Sequence, residues 1–180
     1  MNKGFSLIET LVATAIIVMA TVGPLALAAS SLAQANYIKD QIVATFLAQE
    51  ALEIMRNVRD TSGITEIKRL ADGTGGVSCG VGSVCTVSGI DTSGVTYAVT
   101  GCQDTCPALE FDTENDLYCY TGHGGADCPG VRTSSIFTRT VNVERVNDGK
   151  EYKIHATVRW ARGYGERHIE LTENLFERTW

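Results

Sequence analysis

A long uncharged stretch near the N-terminus limits the folds open to this chain. From Thr10 to Ile38 there is no Asp, Glu, Lys, Arg or His, and as an α-helix this stretch is long enough to cross a hydrocarbon layer of ~30 Å. Glu9 stands at its start; an ionised carboxylate costs about 2.5–3.5 kcal/mol at the centre of a membrane helix on insertion scales, and less near the interface. A chain that keeps an acid in this place is expected to supply a partner for it.

The charge and cysteine content suggest a non-cytoplasmic location for the rest of the chain. Lys3, before the stretch, favours a cytoplasmic N-terminus, although Lys39 after it weakens the bias. The six cysteines would then lie in a compartment where disulfides persist. The net charge of −6 argues against nucleic acid as the main partner, because phosphate contacts need clustered Lys and Arg. The length of 180 residues allows one domain besides a membrane-spanning helix.

The run Gly4-Phe5-Ser6-Leu7-Ile8-Glu9 combines a glycine, an aromatic residue and an acid at fixed spacing, ahead of the uncharged stretch. It resembles the N-terminus of type IV prepilins and type II secretion pseudopilins. The resemblance implies that a prepilin peptidase cuts between Gly4 and Phe5, that Phe5 is then N-methylated, and that Glu9 serves assembly. An uncleaved signal anchor is the alternative. A secretory signal peptide is disfavoured because the apolar run is long and Glu9 interrupts its start.

The same resemblance implies a location and a set of partners. The protein would be a single-pass protein of the bacterial inner membrane, with a cytoplasmic N-terminus before assembly. Its head would be periplasmic, or extracellular in the assembled filament. Its partners would be the prepilin peptidase, other pilin or pseudopilin subunits, the inner-membrane assembly platform and membrane lipid. No cofactor is implied.

The N-terminal region is predicted to be one long helix, from Ser6 to Asp60, with Gly63 as a left-handed cap. The predicted parts are a leader (1–4), a transmembrane helix (5–32), an amphipathic helix half (33–62) and a globular head (63–180). Pro24 is expected to kink the transmembrane half because it removes a backbone hydrogen bond. Seven apolar residues of the amphipathic half share one helix face and are expected to cover a sheet: Val43, Phe46, Leu47, Ala51, Ile54, Met55 and Val58.

Residues 70–131 form a segment rich in cysteine and glycine. Such a segment buries little apolar surface, so disulfides are expected to compensate for the entropy of ordering it. Six cysteines allow fifteen connectivities, and pairing between neighbours in the sequence is favoured: Cys79–Cys85, Cys102–Cys106 and Cys119–Cys128. The alternative is a zinc site made by Cys102, Cys106 and His123, although their spacing is not that of a CxxC pair.

An acidic run in this segment, Asp112-Thr113-Glu114-Asn115-Asp116, places carboxylates at alternate positions. It resembles the start of a calcium loop, with Asp112, Glu114 and Asp116 as weak candidate ligands. The helix-loop-helix version of such a site needs a glycine at its sixth position, which is Leu117 here. A solvated acidic loop is therefore the preferred interpretation.

The last fifty residues predict an antiparallel β-meander over 133–176. Apolar side chains alternate along two strands: Phe137, Val141 and Val143 on the first, and Tyr152, Ile154, Ala156, Val158 and Trp160 on the second. Asp148-Gly149 supplies a hairpin turn, and Ile169 and Leu171 are expected to face inward on a third strand. The predicted fold class is α+β: a long N-terminal helix packed on the meander, with the disulfide-rich segment as a loop insertion. This ending resembles the I-type minor pseudopilins and the V-type minor pilins.

No catalytic constellation emerges from the sequence, and the chain is predicted not to be an enzyme. Of the three histidines, His155 and His168 lie on strand faces predicted to meet solvent. The predicted function is that of a structural subunit, a minor type IV pilin or pseudopilin that assembles through its N-terminal helix. The alternative is a membrane-anchored binding or adhesion module that uses the disulfide-rich segment and has no filament role. Such a module would need neither Glu9 nor a cleavage glycine.

Overall fold

The computed structural model describes residues 6–89, 97–102, 105–120, 128, 130–147, 149–163 and 165–177. The chain divides into two compact units, Met1–Ile42 and Val43–Trp180. The described residues form α1 (Leu7–Ser62), α2 (Ile64–Asp72), β1 (Cys85–Ser88), β2 (Ala98–Gly101), β3 (Glu110–Asp112), β4 (Leu117–Cys119), β5 (Arg132–Ser134), β6 (Phe137–Asn147), β7 (Glu151–Ala161) and β8 (Glu166–Phe176). The second unit, which includes the end of α1 as well as residues 63–180, is called the head from here on.

The described part of the first unit consists of Ser6 and of the α1 residues up to Ile42. By length and composition α1 could cross a membrane, and no other described helix meets that test. Its hydroxyl groups bond back to carbonyl oxygens of the preceding turn, as in the bond of 2.9 Å from Thr10 to Leu7 and that of 3.0 Å from Thr14 to Leu11. This pattern satisfies the hydroxyls without water, as an apolar surrounding requires. Pro24 lies inside the helix, and the kink there stays a prediction.

The long helix ends within two residues of the predicted Asp60, but Gly63 has φ of +80° and ψ of 171°, so the predicted left-handed cap is wrong. A second helix follows that the sequence analysis missed. Gly63 separates α1 from α2. Ile67 and Leu70 of α2 are three residues apart and fully buried, while Glu66 and Arg69 form an ion pair on its outer side. Gly73, in the left-handed conformation, ends α2 and donates a hydrogen bond to the carbonyl of Arg69.

The predicted meander is confirmed as the centre of a five-stranded antiparallel sheet with the order β2-β1-β6-β7-β8. Its alternation is also confirmed, because Tyr152, Ile154, Ala156, Val158 and Trp160 of β7 are all buried. Ile169 and Leu171 of the outer strand β8 are half-buried and pack against the core. β5 belongs to another sheet, so the meander begins at β6 and not at residue 133.

The part of α1 within the head packs on the sheet, and the core of the head lies between them. Five residues of the predicted helix face are buried, and Val43 is half-buried: the buried ones are Leu47, Ala51, Ile54, Met55 and Val58. The prediction for Phe46 is wrong, since its side chain is 66% exposed. Ala44 and Ala48 are fully buried on this face of α1 instead. They continue the three- and four-residue spacing of the buried residues toward the N-terminus, and their small side chains let α1 lie close to the sheet.

The disulfide-rich segment is part of the fold and not the loop insertion that the sequence suggested. Its strands β1 and β2 extend the main sheet, with Cys85 opposite Val141 of β6. β3 pairs with both β4 and β5 to form a second, three-stranded sheet. Val87, Leu109 and Tyr120 from this segment enter the same core as the helix and the meander. The segment has few apolar residues between its glycines, but these three are buried in the core.

Candidate functional site

The cysteines form three disulfides, in the sequential pairing that the sequence favoured: Cys79–Cys85, Cys102–Cys106 and Cys119–Cys128. The zinc alternative is therefore wrong, because Cys102 and Cys106 are bonded to each other and carry no thiolate for a metal. His123 lies outside the described residues. Cys79 and Cys85 are fully buried beside β6, so their bond joins the disulfide-rich segment to the core.

The acidic loop between β3 and β4 differs from the solvated loop that was predicted. Asp112 is fully buried. One of its carboxylate oxygens accepts bonds from the backbone N–H groups of Glu114 and Asn115, at 2.9 and 3.1 Å. The other accepts the Asn115 side-chain amide at 3.1 Å and the backbone N–H of Gly130 at 2.7 Å. Glu114 and Asp116 are exposed. The Asp112 carboxylate therefore holds the β3–β4 loop in place and ties it to Gly130.

The calcium alternative finds no support in the part of the chain that the structure describes. No group of three His, Cys, Asp or Glu side chains there is placed to hold a metal ion. The two oxygens of Asp112 already accept hydrogen bonds from four N–H groups. These donors occupy the positions around the carboxylate that a bound cation would need. Glycine at position 130 lets this loop close, because a Cβ there would overlap with the Asp112 carboxylate.

These contacts predict a pH dependence for the loop. Burial alone would raise the pKa of Asp112, but the hydrogen bonds from Asn115, Glu114 and Gly130 together hold that pKa below its ordinary value. The stabilisation is therefore present above about pH 4, the ordinary pKa of Asp, and is lost as the pH falls through the lower folded-state value. We expect Asp112→Asn to be less stable than the original chain at pH 7 and to lose less on acidification to pH 3.

Urea unfolding of the full chain in detergent, at pH 7 and at pH 3, measures both differences. Glu114→Gln is the matched control, because Glu114 is an exposed residue of the same loop and its side chain makes none of the hydrogen bonds to Asp112, so its change should have little effect on stability at pH 7. Equal pH dependence of Asp112→Asn and the original chain would contradict the assignment of the buried carboxylate.

A buried arginine on β6 is the main feature that the sequence analysis missed. Arg139 is 1% exposed and lies at an inward position between Phe137 and Val141. Its Nη1 lies 2.9 Å from a carboxylate oxygen of Glu50 on α1. The strict alternation of inward positions on β6 was a sufficient signal to find it, since residues 137, 139, 141 and 143 share one face.

The guanidinium of Arg139 also joins elements that are distant in the sequence. Nη1 donates to the carbonyl of Leu47 on α1 at 3.3 Å, and Nη2 donates to the carbonyl of Val87 on β1 at 2.7 Å. The Tyr120 ring lies 5.8 Å from the guanidinium carbon, and the Tyr120 hydroxyl donates to the Arg139 carbonyl at 2.9 Å. Burial raises the pKa of the Tyr120 phenol, so it stays a donor. The cluster links α1, β1 and β6 to Tyr120, the residue that follows β4.

His155 and His168 lie on the outward-facing sides of their strands, as predicted, and His155 is the less exposed of the two. The side chain of His155 is 23% exposed and lies between two carboxylates on the outer face of the main sheet. One ring nitrogen is 3.2 Å from Glu144 on β6, and the other is 3.1 Å from Glu170 on β8. The contact spans three adjacent strands, β6, β7 and β8.

The start of α1 carries the other predicted site. Gly4 and Phe5 lie outside the described residues. Glu9 is exposed in the first turn of α1, where a carboxylate is favoured by the helix dipole. None of the salt bridges between described residues involves Glu9, and the apolar side chains that follow it are exposed along several turns. Protein-family models, curated proteins and solved structures were compared with this chain, and none matches.

Proposed function

We propose that this protein is a minor subunit of a type IV pilus or of a type II secretion pseudopilus. It would be held in the bacterial inner membrane before assembly and would enter the filament through α1. The observation that carries the proposal is Glu9, an acid without a salt bridge among the described residues, placed behind Gly4-Phe5 at the start of a helix with an exposed apolar surface.

The chemistry of this helix end supports assembly better than simple anchoring. Cleavage after Gly4 frees an amine on Phe5, and N-methylation keeps that amine positive. The amine and Glu9 of a neighbouring subunit then lie at nearly the same depth in the membrane, so each can be the partner of the other. A membrane anchor without a filament role has no use for either group, which is why we place it second.

The head agrees with a location outside the cytoplasm. Its three disulfides are of a kind that persists in the periplasm or at the cell surface. The partners that follow from the proposal are the prepilin peptidase, other pilin or pseudopilin subunits, the inner-membrane assembly platform and membrane lipid.

Processing at the N-terminus tests the proposal. Mass spectrometry of the protein extracted from membranes should find a chain that begins with N-methylated Phe5. Replacing Gly4 with leucine should leave the leader attached, because the peptidase of the resembled family needs a small residue before the cut. Ser6→Ala, next to the cut but outside the residues that define it, is the matched control and should be processed normally.

An intact N-terminus in cells with an active prepilin peptidase would contradict the proposal. In that case the membrane-anchored binding module would become the better interpretation, with the disulfide-rich segment as its binding surface.

A further inference from the structure

The disulfide between Cys102 and Cys106 is the least covered of the three in the head. Both of its cysteines are half-buried, and the neighbouring Thr105 is exposed. The four cysteines of the other two disulfides are buried, with exposed fractions of 7% or less. A disulfide can exchange with an external thiol only if that thiol reaches one of its sulfur atoms, so access favours exchange at Cys102–Cys106.

The chain on the β2 side of this disulfide is held in place without it. Gly101, the last residue of β2, pairs with Cys85 of β1, and the N–H of Cys102 donates to the carbonyl of Val84 at 3.0 Å. These contacts are made by the backbone and involve no cysteine sulfur. Opening the disulfide therefore leaves β2 attached to the main sheet.

The chain on the other side is held by Leu109, three residues after Cys106. The Leu109 side chain is fully buried in the core. Its N–H donates to the carbonyl of Phe137 at 2.8 Å, and its carbonyl accepts the N–H of Ser135 at 3.2 Å. The disulfide thus lies between two segments that the core and the backbone hydrogen bonds already fix.

The ring that this disulfide closes is also the smallest of the three. Cys102 and Cys106 are four positions apart in the sequence, whereas the cysteines of the other disulfides are six and nine positions apart. In the chain-entropy model, a disulfide stabilises a fold more when it closes a longer loop of the unfolded chain. Opening Cys102–Cys106 should therefore destabilise the head less than opening either of the other two bonds.

We propose that Cys102–Cys106 is a thiol–disulfide exchange site, the bond at which an external dithiol oxidoreductase reduces the head while the head stays folded. Exposed disulfides are the ones that take part in exchange, whereas buried structural disulfides resist reduction. Cys79–Cys85 and Cys119–Cys128 are the structural bonds of the head. The proposal depends on the head alone and does not require that the chain enters a filament.

The exchange has two steps. A thiolate of the dithiol attacks one sulfur of the disulfide, the Cys102–Cys106 bond breaks, and the other cysteine leaves as a thiolate that takes up a proton. The second thiol of the dithiol then loses its proton, attacks the mixed disulfide and closes a disulfide within the oxidoreductase. Two electrons pass from the dithiol to the head, which ends with thiols at Cys102 and Cys106.

Limited reduction of the full chain in detergent tests access to this site. Dithiothreitol is the dithiol, N-ethylmaleimide stops the reaction by labelling free thiols, and peptide mass spectrometry identifies the labelled cysteines. We expect Cys102 and Cys106 to be labelled at least about tenfold faster than the other four cysteines, because the fold must open before a thiol can reach those. The fluorescence of the buried Trp160 should stay unchanged during this first labelling.

Cys102→Ser combined with Cys106→Ser removes the site. This double variant should fold and form the other two disulfides, because the backbone bonds of Cys102 and Leu109 remain, and its fast labelling should be absent. Cys119→Ser combined with Cys128→Ser is the matched control for the loss of a disulfide. It should lower the urea midpoint of the full chain more, because that bond closes a larger ring and its cysteines are buried.

A trapped intermediate tests the reaction with an enzyme. A thioredoxin-type oxidoreductase whose second active-site cysteine is replaced by serine cannot complete the second step, so the mixed disulfide remains. We expect peptide mass spectrometry to find this mixed disulfide at Cys102 or Cys106 of the folded chain.

Several results would overturn the proposal. In the reduction experiment these are labelling of all six cysteines together, faster labelling of a buried disulfide, or no labelling until the head unfolds. A Cys102→Ser, Cys106→Ser variant that does not fold would assign the bond to the structure of the head. No mixed disulfide, or one only at the other four cysteines, would exclude exchange at this site. The proposed function would stand in each case, because processing at the N-terminus does not involve the cysteines.

Discussion

Glu50→Ala is expected to lower the free energy of unfolding of the head by about 2–4 kcal/mol, although Glu50 is a partly exposed residue on a helix. The reason is its partner. Arg139 is 1% exposed, and Glu50 is the acid that pairs with its guanidinium. Removing the acid leaves a buried cation with two carbonyl oxygens and the Tyr120 ring around it, and without an opposite charge from Glu50. Because the Glu50 side chain is itself 43% exposed, water offsets part of the loss, and the expected effect lies below that of a fully buried pair.

A double variant separates this explanation from a general packing defect. In Glu50→Ala with Arg139→Met, the buried cation is gone and an apolar side chain of similar length fills its space, so part of the lost stability should return. Urea unfolding of the full chain in detergent, followed by the fluorescence of the buried Trp160, measures each variant.

Glu53→Ala is the matched control for the helix surface. Glu53 pairs with Arg56 one turn further along α1, and both side chains are well exposed, at 70% and 45%. Its removal should change the free energy of unfolding by less than about 0.5 kcal/mol. Two results would show that the burial of Arg139 does not require Glu50. One is an equal loss of stability in Glu50→Ala and Glu53→Ala, and the other is a double variant that is no more stable than Glu50→Ala.

The elements that the sequence predicted well are those in which a short period continues over many residues. On β7, five apolar residues alternate with polar ones, and a one-residue shift would turn all of them toward water. On α1, the apolar face repeats over four turns. In both cases a single secondary structure buries many apolar side chains at once, and the structure shows that secondary structure.

The missed features depend on single residues that act against the local pattern. Arg139 is a charge at an inward position of β6, and it is tolerated there because Glu50, Leu47 and Val87 converge on it from other elements. Asp112 is buried because the N–H groups of its own loop and of Gly130 surround it. Local composition contains no information on such partners, so these groups were predicted to be solvated or were not predicted at all.

Phe46 and α2 show the limits of periodicity itself. Phe46 fits the spacing of the buried face but lies at its edge, where the β3–β4 hairpin leaves a groove. α2 has only nine residues, and its buried Ile67 and Leu70 are too few to give a clear period. The N-terminal motif belongs to a different class of evidence, because its interpretation comes from a resemblance and not from packing.

Under the proposed function, Glu9→Ala is expected to abolish the entry of this protein into filaments while leaving its insertion in the membrane intact. Insertion should be at least as efficient, because removing an ionised carboxylate removes a cost of about 2.5–3.5 kcal/mol, or less near the interface. Assembly should fail, because the N-methylated amine of a neighbour would have no acid to pair with. Membrane fractionation measures the first effect, and co-purification with the other subunits measures the second.

The matched control is Thr10→Ala, since the Thr10 hydroxyl bonds only to the Leu7 carbonyl of its own helix and its loss should leave both measurements unchanged. By analogy with pilin assembly, a subunit with this acid docks beneath one already in place and pairs with its terminal amine. The outermost subunit has nothing above it, so it can lack the acid. Because this chain has Glu9, we expect an internal or sub-tip position. Normal co-purification and normal filament numbers with Glu9→Ala would contradict the docking function of the carboxylate, and the apex would then be open to this subunit.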